Sequence, residues 1–149
     1  MIILQIIIII NIKEVPMETT RKHSKKRDAI LECIKMTTSH PSAEWVYQQL
    51  KPRIPDLSLG TVYRNLAMFK NEGTIQSIGV VAGLERYDGN TTPHTHYICT
   101  HCGKVIDLHH VELPNEIMQQ AQADTGVIDS YQLQFFGHCS DCIKNKNNS

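Results

Sequence analysis

Ser58-Leu59-Gly60-Thr61-Val62-Tyr63-Arg64-Asn65-Leu66-Ala67-Met68-Phe69-Lys70-Asn71 decides the reading of the front half of the chain. Its apolar residues Leu59, Val62, Leu66 and Phe69 fall at steps of three and four, which gathers them on one stripe of a helix. Ser58 stands before the run as an N-cap, and Gly73 closes it. The other face carries Gly60, Thr61 and Arg64, flanked by Tyr63 and Asn65. An arginine there can bridge a guanine edge, while Thr61 and Tyr63 can reach thymine methyls or phosphate. As chemistry alone this signal is weak, because many helices expose Arg and Tyr.

The segments on either side give that helix a context. Upstream, Ser24 caps a predicted helix running to about Thr38, with Ile30, Cys33, Ile34 and Thr37 inward. Cys33 reads as a small core residue. Ser42 and Glu44 open a second helix that buries Ala43, Val46, Tyr47 and Leu50, and Pro52 and Pro55 end it. Downstream, Thr74–Val81 and Glu85–Asp88 flank Ala82-Gly83 and read as a hairpin. Helix, helix, helix, hairpin is the order of a winged helix-turn-helix, which lays its third helix in the major groove.

The turn-rich Asn90-Thr91-Thr92-Pro93 marks a boundary. Beyond it His96–Cys99 and Lys104–Leu108 read as strands, and Glu112 to about Asp124 as a helix with Leu113, Ile117 and Met118 inward. Tyr131–Gly137 reads as a last strand with Leu133 and Phe135 on one face. The predicted class is α+β: a winged-helix domain over residues 17–89, a small α/β domain over 90–143 and a disordered polar tail over 144–149.

Two sets of residues carry metal chemistry. Cys99-Thr100-His101-Cys102-Gly103 and Cys139-Ser140-Asp141-Cys142 are two Cys-x-x-Cys pairs, and together they spell a closed tetrahedral zinc site. A redox pair or two disulfides are the alternatives; the lack of a secretory signal favours the metal. The second set is Asp88, His94, His96 and Asp107. His94 and His96 share one side of an extended strand, where the side-chain period is two. Imidazoles with carboxylates make a harder site, suited to Fe(II), Mn(II) or Zn(II). One centre then holds the fold while the other senses. His101, His109, His110 and His138 receive no role.

At 41% hydrophobic and 20% charged residues, the 149-residue chain has the composition of a globular protein rather than a disordered one. The net charge is zero, yet Met17–Arg86 holds 11 Lys and Arg against 7 Asp and Glu, and Tyr87–Ser149 holds 3 against 7. A basic front and an acidic, metal-rich back suggest two jobs. Met1–Ile12, MIILQIIIIINI, is about half as long as the roughly 20 residues of a membrane span and lacks signal-peptide features. Lys13-Glu14-Val15 can be encoded by AAG GAG GTN, a ribosome-binding sequence ahead of Met17. Residues 1–16 therefore read as a non-native or disordered leader created by start-codon choice, and a β-prone, sticky tail if translated.

The ordered series His40-Pro41-Ser42-Ala43-Glu44, Ser58-Leu59-Gly60-Thr61-Val62-Tyr63-Arg64-Asn65-Leu66, Arg86-Tyr87-Asp88, His94-Thr95-His96-Tyr97-Ile98-Cys99-Thr100-His101-Cys102-Gly103-Lys104 and Gly137-His138-Cys139-Ser140-Asp141-Cys142 resembles the ferric uptake regulator family, over nearly all of residues 17–143. The resemblance implies a cytoplasmic homodimeric repressor on a palindromic double-stranded DNA operator, with no membrane and no small-molecule substrate. It implies structural Zn2+ on Cys99, Cys102, Cys139 and Cys142, and regulatory Fe2+ or Mn2+ on His40, Asp88, His94, His96 and Asp107. It implies DNA contacts from Ser58, Thr61, Tyr63, Arg64 and Asn65. His40, by itself, reads as an ordinary turn residue before a proline. Ser24-Lys25-Lys26-Arg27 departs from the Thr-x-x-Arg usual before helix one, so no minor-groove contact is assigned there.

Asp107 stands where iron-uptake sensors usually carry Glu and peroxide sensors carry Asp. The resemblance is thus nearest to the peroxide-sensing branch, in which Fe(II) and hydrogen peroxide oxidise a ligand, His40 or His94, and repression is released. Such a protein consumes itself and is not a turnover enzyme. The alternative within the class is a repressor answering to iron, zinc or manganese supply without peroxide chemistry. A metal hydrolase lacks an obvious poised nucleophile and would leave the basic front half idle; a zinc-ribbon adaptor would protect no palindrome on DNA.

Overall fold

The computed structural model describes residues 24–147. The leader 1–16, the basic residues Arg21 and Lys22, and the last two residues of the tail lie outside the described residues.

Three helices form the front half: α1 (Lys25–Lys35), α2 (Ala43–Leu50) and α3 (Leu59–Asn71). Their apolar stripes meet in one core of Ile30, Ile34, Ala43, Val46, Leu50, Leu57, Val62, Leu66 and Phe69, closed below by Ile75 and Tyr87. Cys33 is half-buried against this core. The α3 bounds agree with the sequence, and the Ser58 hydroxyl accepts from the Thr61 amide at 3.2 Å, as a cap should. Ser42 caps α2 in the same way, accepting from the Trp45 amide at 3.3 Å.

α1 differs from expectation at both ends. Ser24 occupies the N-cap position without making a side-chain bond, and the helix ends at Lys35 rather than near Thr38. Thr37 and Ser39 account for the early stop, because the Thr37 hydroxyl accepts from the Ser39 amide at 3.1 Å and contacts the Ser39 hydroxyl at 2.9 Å. Such local bonds compete with the helical ladder.

Strands β1 (Gln76–Val81) and β2 (Leu84–Asp88) pair antiparallel as the wing, with a bulge between Ser77 and Gly79. In the back half, β3 (Thr95–Cys99) is central. It runs antiparallel to β4 (Val105–Leu108) and parallel to β5 (Gln134–Gly137). A second apolar cluster joins Ile78 and Val81 of the wing to Ile98 and Val105 of this sheet. The side-chain amides of Gln132 and Gln134 donate to the Ser77 and Ile78 carbonyls at 3.2 and 2.7 Å. The wing is therefore shared between the two halves.

Helix α4 (Asn115–Thr125) buries none of its residues: Met118 is half-buried and Ile117 is exposed. The expected inward face is not closed within one chain, since a single three-stranded sheet already spends one side on the wing. β5 is shorter than predicted, and Phe135 and Phe136 are both exposed. The disordered tail expected from residue 144 is also corrected, because α5 (Ser140–Asn147) carries the chain on as helix through 147. Its acidic start at Asp141 and basic end at Lys144 and Lys146 suit the helix dipole.

Candidate metal centres and nucleic-acid face

The four paired cysteines converge. Cys99 ends β3, and the chain turns tightly beneath it, with the Gly103 amide bonding the Cys99 carbonyl at 2.9 Å. Gly103 takes a φ of +70°, a left-handed value that costs a glycine least. The parallel β3–β5 register places Cys99 opposite Gly137, which brings Cys139 and Cys142 across to the same spot. Sulfur separations are 3.9 Å for Cys99–Cys142 and 3.8 Å for Cys102–Cys139, and all four sulfurs lie within 4.8 Å of one another. A disulfide would need about 2.05 Å. Four thiolates at about 2.3 Å from a tetrahedral ion stand about 3.8 Å apart, which is the spacing found. None of the four is in a disulfide. Amides of Cys102 and Cys139 pointing at Cys99 hold its thiol down to about 5, whereas the Cys139 sulfur beside Cys142 pushes that thiol up to about 12. Thiolates packed this closely repel one another, a conflict that a divalent ion removes.

The second centre draws on four places in the chain. His40 lies in the loop before α2, Asp88 ends β2, His94 and His96 lead into and lie on β3, and Asp107 is paired with His96 on β4. One ligand atom from each falls within 4.8 Å of the others. Asp107 Oδ1 is 2.8 Å from His40 Nε2, 3.2 Å from His94 Nε2 and 3.5 Å from His96 Nε2. Asp88 Oδ2 is 3.8, 3.1 and 3.3 Å from the same three nitrogens. Donors about 2.1 Å from one ion and at right angles stand about 3 Å apart, so these spacings suit adjacent corners of a coordination shell.

Hydrogen bonds orient the ligands. His94 Nδ1 lies 2.8 Å from the Thr92 carbonyl, so that nitrogen carries the proton and Nε2 keeps its lone pair for the cluster. Asp88 receives the Asn90 amide at 2.8 Å and the Gln76 amide at 3.2 Å. Burial alone would raise Asp88, but hydrogen bonds from His96, Asn90 and Gln76 outweigh it and hold the carboxyl below the usual range. His40 is 2% exposed, and neither of its nitrogens has a hydrogen-bond partner, although Nε2 is close to Asp107. Its contact with Asp107 has the distance of an ion pair without the angles of a hydrogen bond. A buried nitrogen aimed at two carboxylates in this way fits a metal ligand better than a structural histidine. Burial lowers the His40 pKa against the pull of Asp107 and Asp88, favouring the neutral form that binds metals.

The unassigned histidines are in neither donor set: the His109 ring lies beside that of His94, 5.7 Å between centroids, and His101 pairs with His138 at 6.1 Å.

On α3, Ser58, Tyr63 and Arg64 are exposed and Thr61 and Asn65 half-exposed. Arg64 donates to the Thr61 hydroxyl at 3.1 Å, which props the guanidinium on the outer face. Tyr63 donates to Glu44 of α2. Asn65 is turned back, its amide bonding the Thr61 carbonyl at 2.8 Å.

Fold and clusters together define a winged-helix regulator carrying two metal-binding centres. The chain belongs to the ferric uptake regulator family, which matches residues 18–136. It is 35% identical over 123 residues to the peroxide-responsive repressor PerR of Staphylococcus epidermidis, covering 82% of this chain and 81% of that protein. It is 34% identical over 131 residues to the peroxide operon regulator of Bacillus subtilis, covering 87% and 90%. Among solved structures, the Helicobacter pylori ferric uptake regulator superposes with a TM-score of 0.72 at 25% identity, covering 82% of each chain. The Campylobacter jejuni peroxide stress regulator gives 0.68 at 27% identity, covering 78% of this chain and 88% of that one. The family is one of transcriptional regulators, not enzymes.

Two site residues escape bottom-up reading. His40 is reached only through the family resemblance. Arg86, which bonds the carbonyls on either side of the His40 turn, carried no local signal beyond its place two residues before Asp88.

Proposed function

We propose that this chain is a metal-dependent DNA-binding repressor that senses hydrogen peroxide, acting as a cytoplasmic homodimer on a palindromic operator. The observation that carries the reading is the buried five-donor cluster that joins His40, beside the helices, to Asp88, His94, His96 and Asp107. Its nitrogen and oxygen donors suit Fe(II) or Mn(II), while the thiolate cluster suits a permanent Zn(II).

Iron(II) held there would supply the redox chemistry that cleaves the peroxide O–O bond; overall one oxygen enters a ring C–H of His40 or His94, whose imidazole gives up two electrons, and the other oxygen leaves as water. This chain's residues do the rest. Asp88 and Asp107 offset the cation's charge, the Thr92 carbonyl fixes the His94 tautomer, and burial shields the cluster from bulk water. A ligand holding the loop before α2 against β3 and β4 favours one arrangement of the helical front over the back half; an oxidised imidazole binds less well and releases it. Arg64, Tyr63, Thr61 and Ser58 would meet the operator. Asn65 would first have to release the Thr61 carbonyl. Exposed Ile117, Val127, Phe135, Phe136 and Ile143 supply apolar area for a second copy. Among the described residues no helix is long and apolar enough to cross a membrane.

Peroxide treatment of the Fe(II)-loaded protein, followed by peptide mass spectrometry, tests the reading. One added oxygen on a peptide containing His40 or His94 is expected, with loss of operator binding, and none in the Mn(II)-loaded protein. Unmodified histidines with operator binding intact would point to a repressor governed by metal supply instead.

A further inference from the structure

His40 has a φ of +50°, in the left-handed region, although Pro41 follows it. A residue before proline is steered toward extended backbone, and a non-glycine residue at positive φ is uncommon. Such a conformation persists only where its surroundings impose it. Here β2 does so. The Tyr87 amide donates to the Pro41 carbonyl at 3.0 Å. The Arg86 guanidinium donates through Nε to the His40 carbonyl and through Nη2 to the Ser39 carbonyl at 2.9 Å. Its Nη1 reaches the Gly103 carbonyl, in the turn under Cys99 and Cys102, at 3.4 Å.

Arg86 is half-buried, and among the described residues it has no carboxylate partner in ion-pair range. A guanidinium withdrawn from water and spent on three neutral carbonyls costs desolvation that charge-assisted bonds must offset. The planar fork spans both halves of the chain at once, which a lysine ammonium cannot do.

We propose that Arg86 is a positioning residue for the histidine–carboxylate centre: it clamps the Ser39–His40 turn in the strained form that aims the His40 imidazole at Asp88 and Asp107, with the Gly103 turn of the four-cysteine knuckle as its anchor. The inference rests on His40 being a ligand, and the experiment separates the two claims.

Zinc-loaded full chains of wild type, Arg86→Gln, Arg86→Lys, His40→Ala and the doubles His40→Ala/Arg86→Gln and His40→Ala/Arg86→Lys are titrated with Mn(II), free ion being read by electron paramagnetic resonance. Zinc content is measured on each sample. Arg86→Gln should weaken Mn(II) binding tenfold or more at full zinc content, and Arg86→Lys should fall between it and wild type. In the His40→Ala background neither change at Arg86 should weaken binding further, because the clamp then has nothing to aim. Wild-type affinity in Arg86→Gln, or an equal drop with and without His40, overturns the positioning role. An unchanged affinity in His40→Ala overturns the ligand reading and the clamp with it. If Arg86→Gln does not fold, the Arg86→Lys pair makes the same comparison.

Discussion

Asp107 on β4 places its Oδ1 2.8 Å from Nε2 of His40, in the loop before α2, so a strand of the back half reaches a residue of the helical front. Neither ring nitrogen of His40 has a hydrogen-bond partner. Asp107→Asn keeps the size of the side chain but removes its charge. It should weaken Mn(II) binding by tenfold or more in a titration and leave the zinc content at the wild-type level. Equal Mn(II) affinity in the two proteins would remove Asp107 from the ligand set.

The sulfur cluster makes a different demand. Cys99 is buried, accepts the Cys139 amide at 3.3 Å and joins β3 to the start of α5. Cys99→Ser should lose zinc and the dimer together, as read by metal analysis and sedimentation. A zinc-free variant that stays folded and dimeric would show that the four thiols are not a structural site.

Operator contact is tested at Arg64, whose exposed side chain leans on Thr61 and supports no core. Arg64→Ala should leave the melting temperature within a degree or two, the usual range for an exposed position, and cost about 1–3 kcal/mol in binding to the operator. A footprint of unchanged affinity would place the recognition surface elsewhere.

Gly89 follows Asp88 and passes against the end of α1. A Cβ there would stand 2.9 Å from the Lys35 Cα and 3.2 Å from the Ile34 carbonyl, both backbone atoms. Gly89→Ala should destabilise the fold by about 1–3 kcal/mol, the usual cost of overpacking, in urea denaturation. Wild-type stability would mean that the α1 end yields freely.

Much of this was legible in the sequence. The bounds of α3 follow from its apolar spacing together with Ser58 and Gly73, all of which act within a turn or two. The two Cys-x-x-Cys pairs and the His94–His96 alternation are local as well, and the structure brings each set together. What escaped is long-range. Arg86 and the His40 carbonyl are 46 residues apart, and no periodicity in either segment announces their bond. The early end of α1 depends on hydroxyl bonds at Thr37 and Ser39, which apolar spacing does not register. The exposed face of α4 reflects a single chain whose sheet is too small to cover it.

The wing has one further consequence. Tyr87 and Ile75 root it in the helical core, while Ile78 and Val81 root it in the packing with Ile98 and Val105. The linker 90–93 therefore cannot act as a loose tether, since parting the halves would strip oily side chains from one core or the other. Motion between them has to be a twist borne by the hairpin, and heat should dismantle both halves in a single cooperative step.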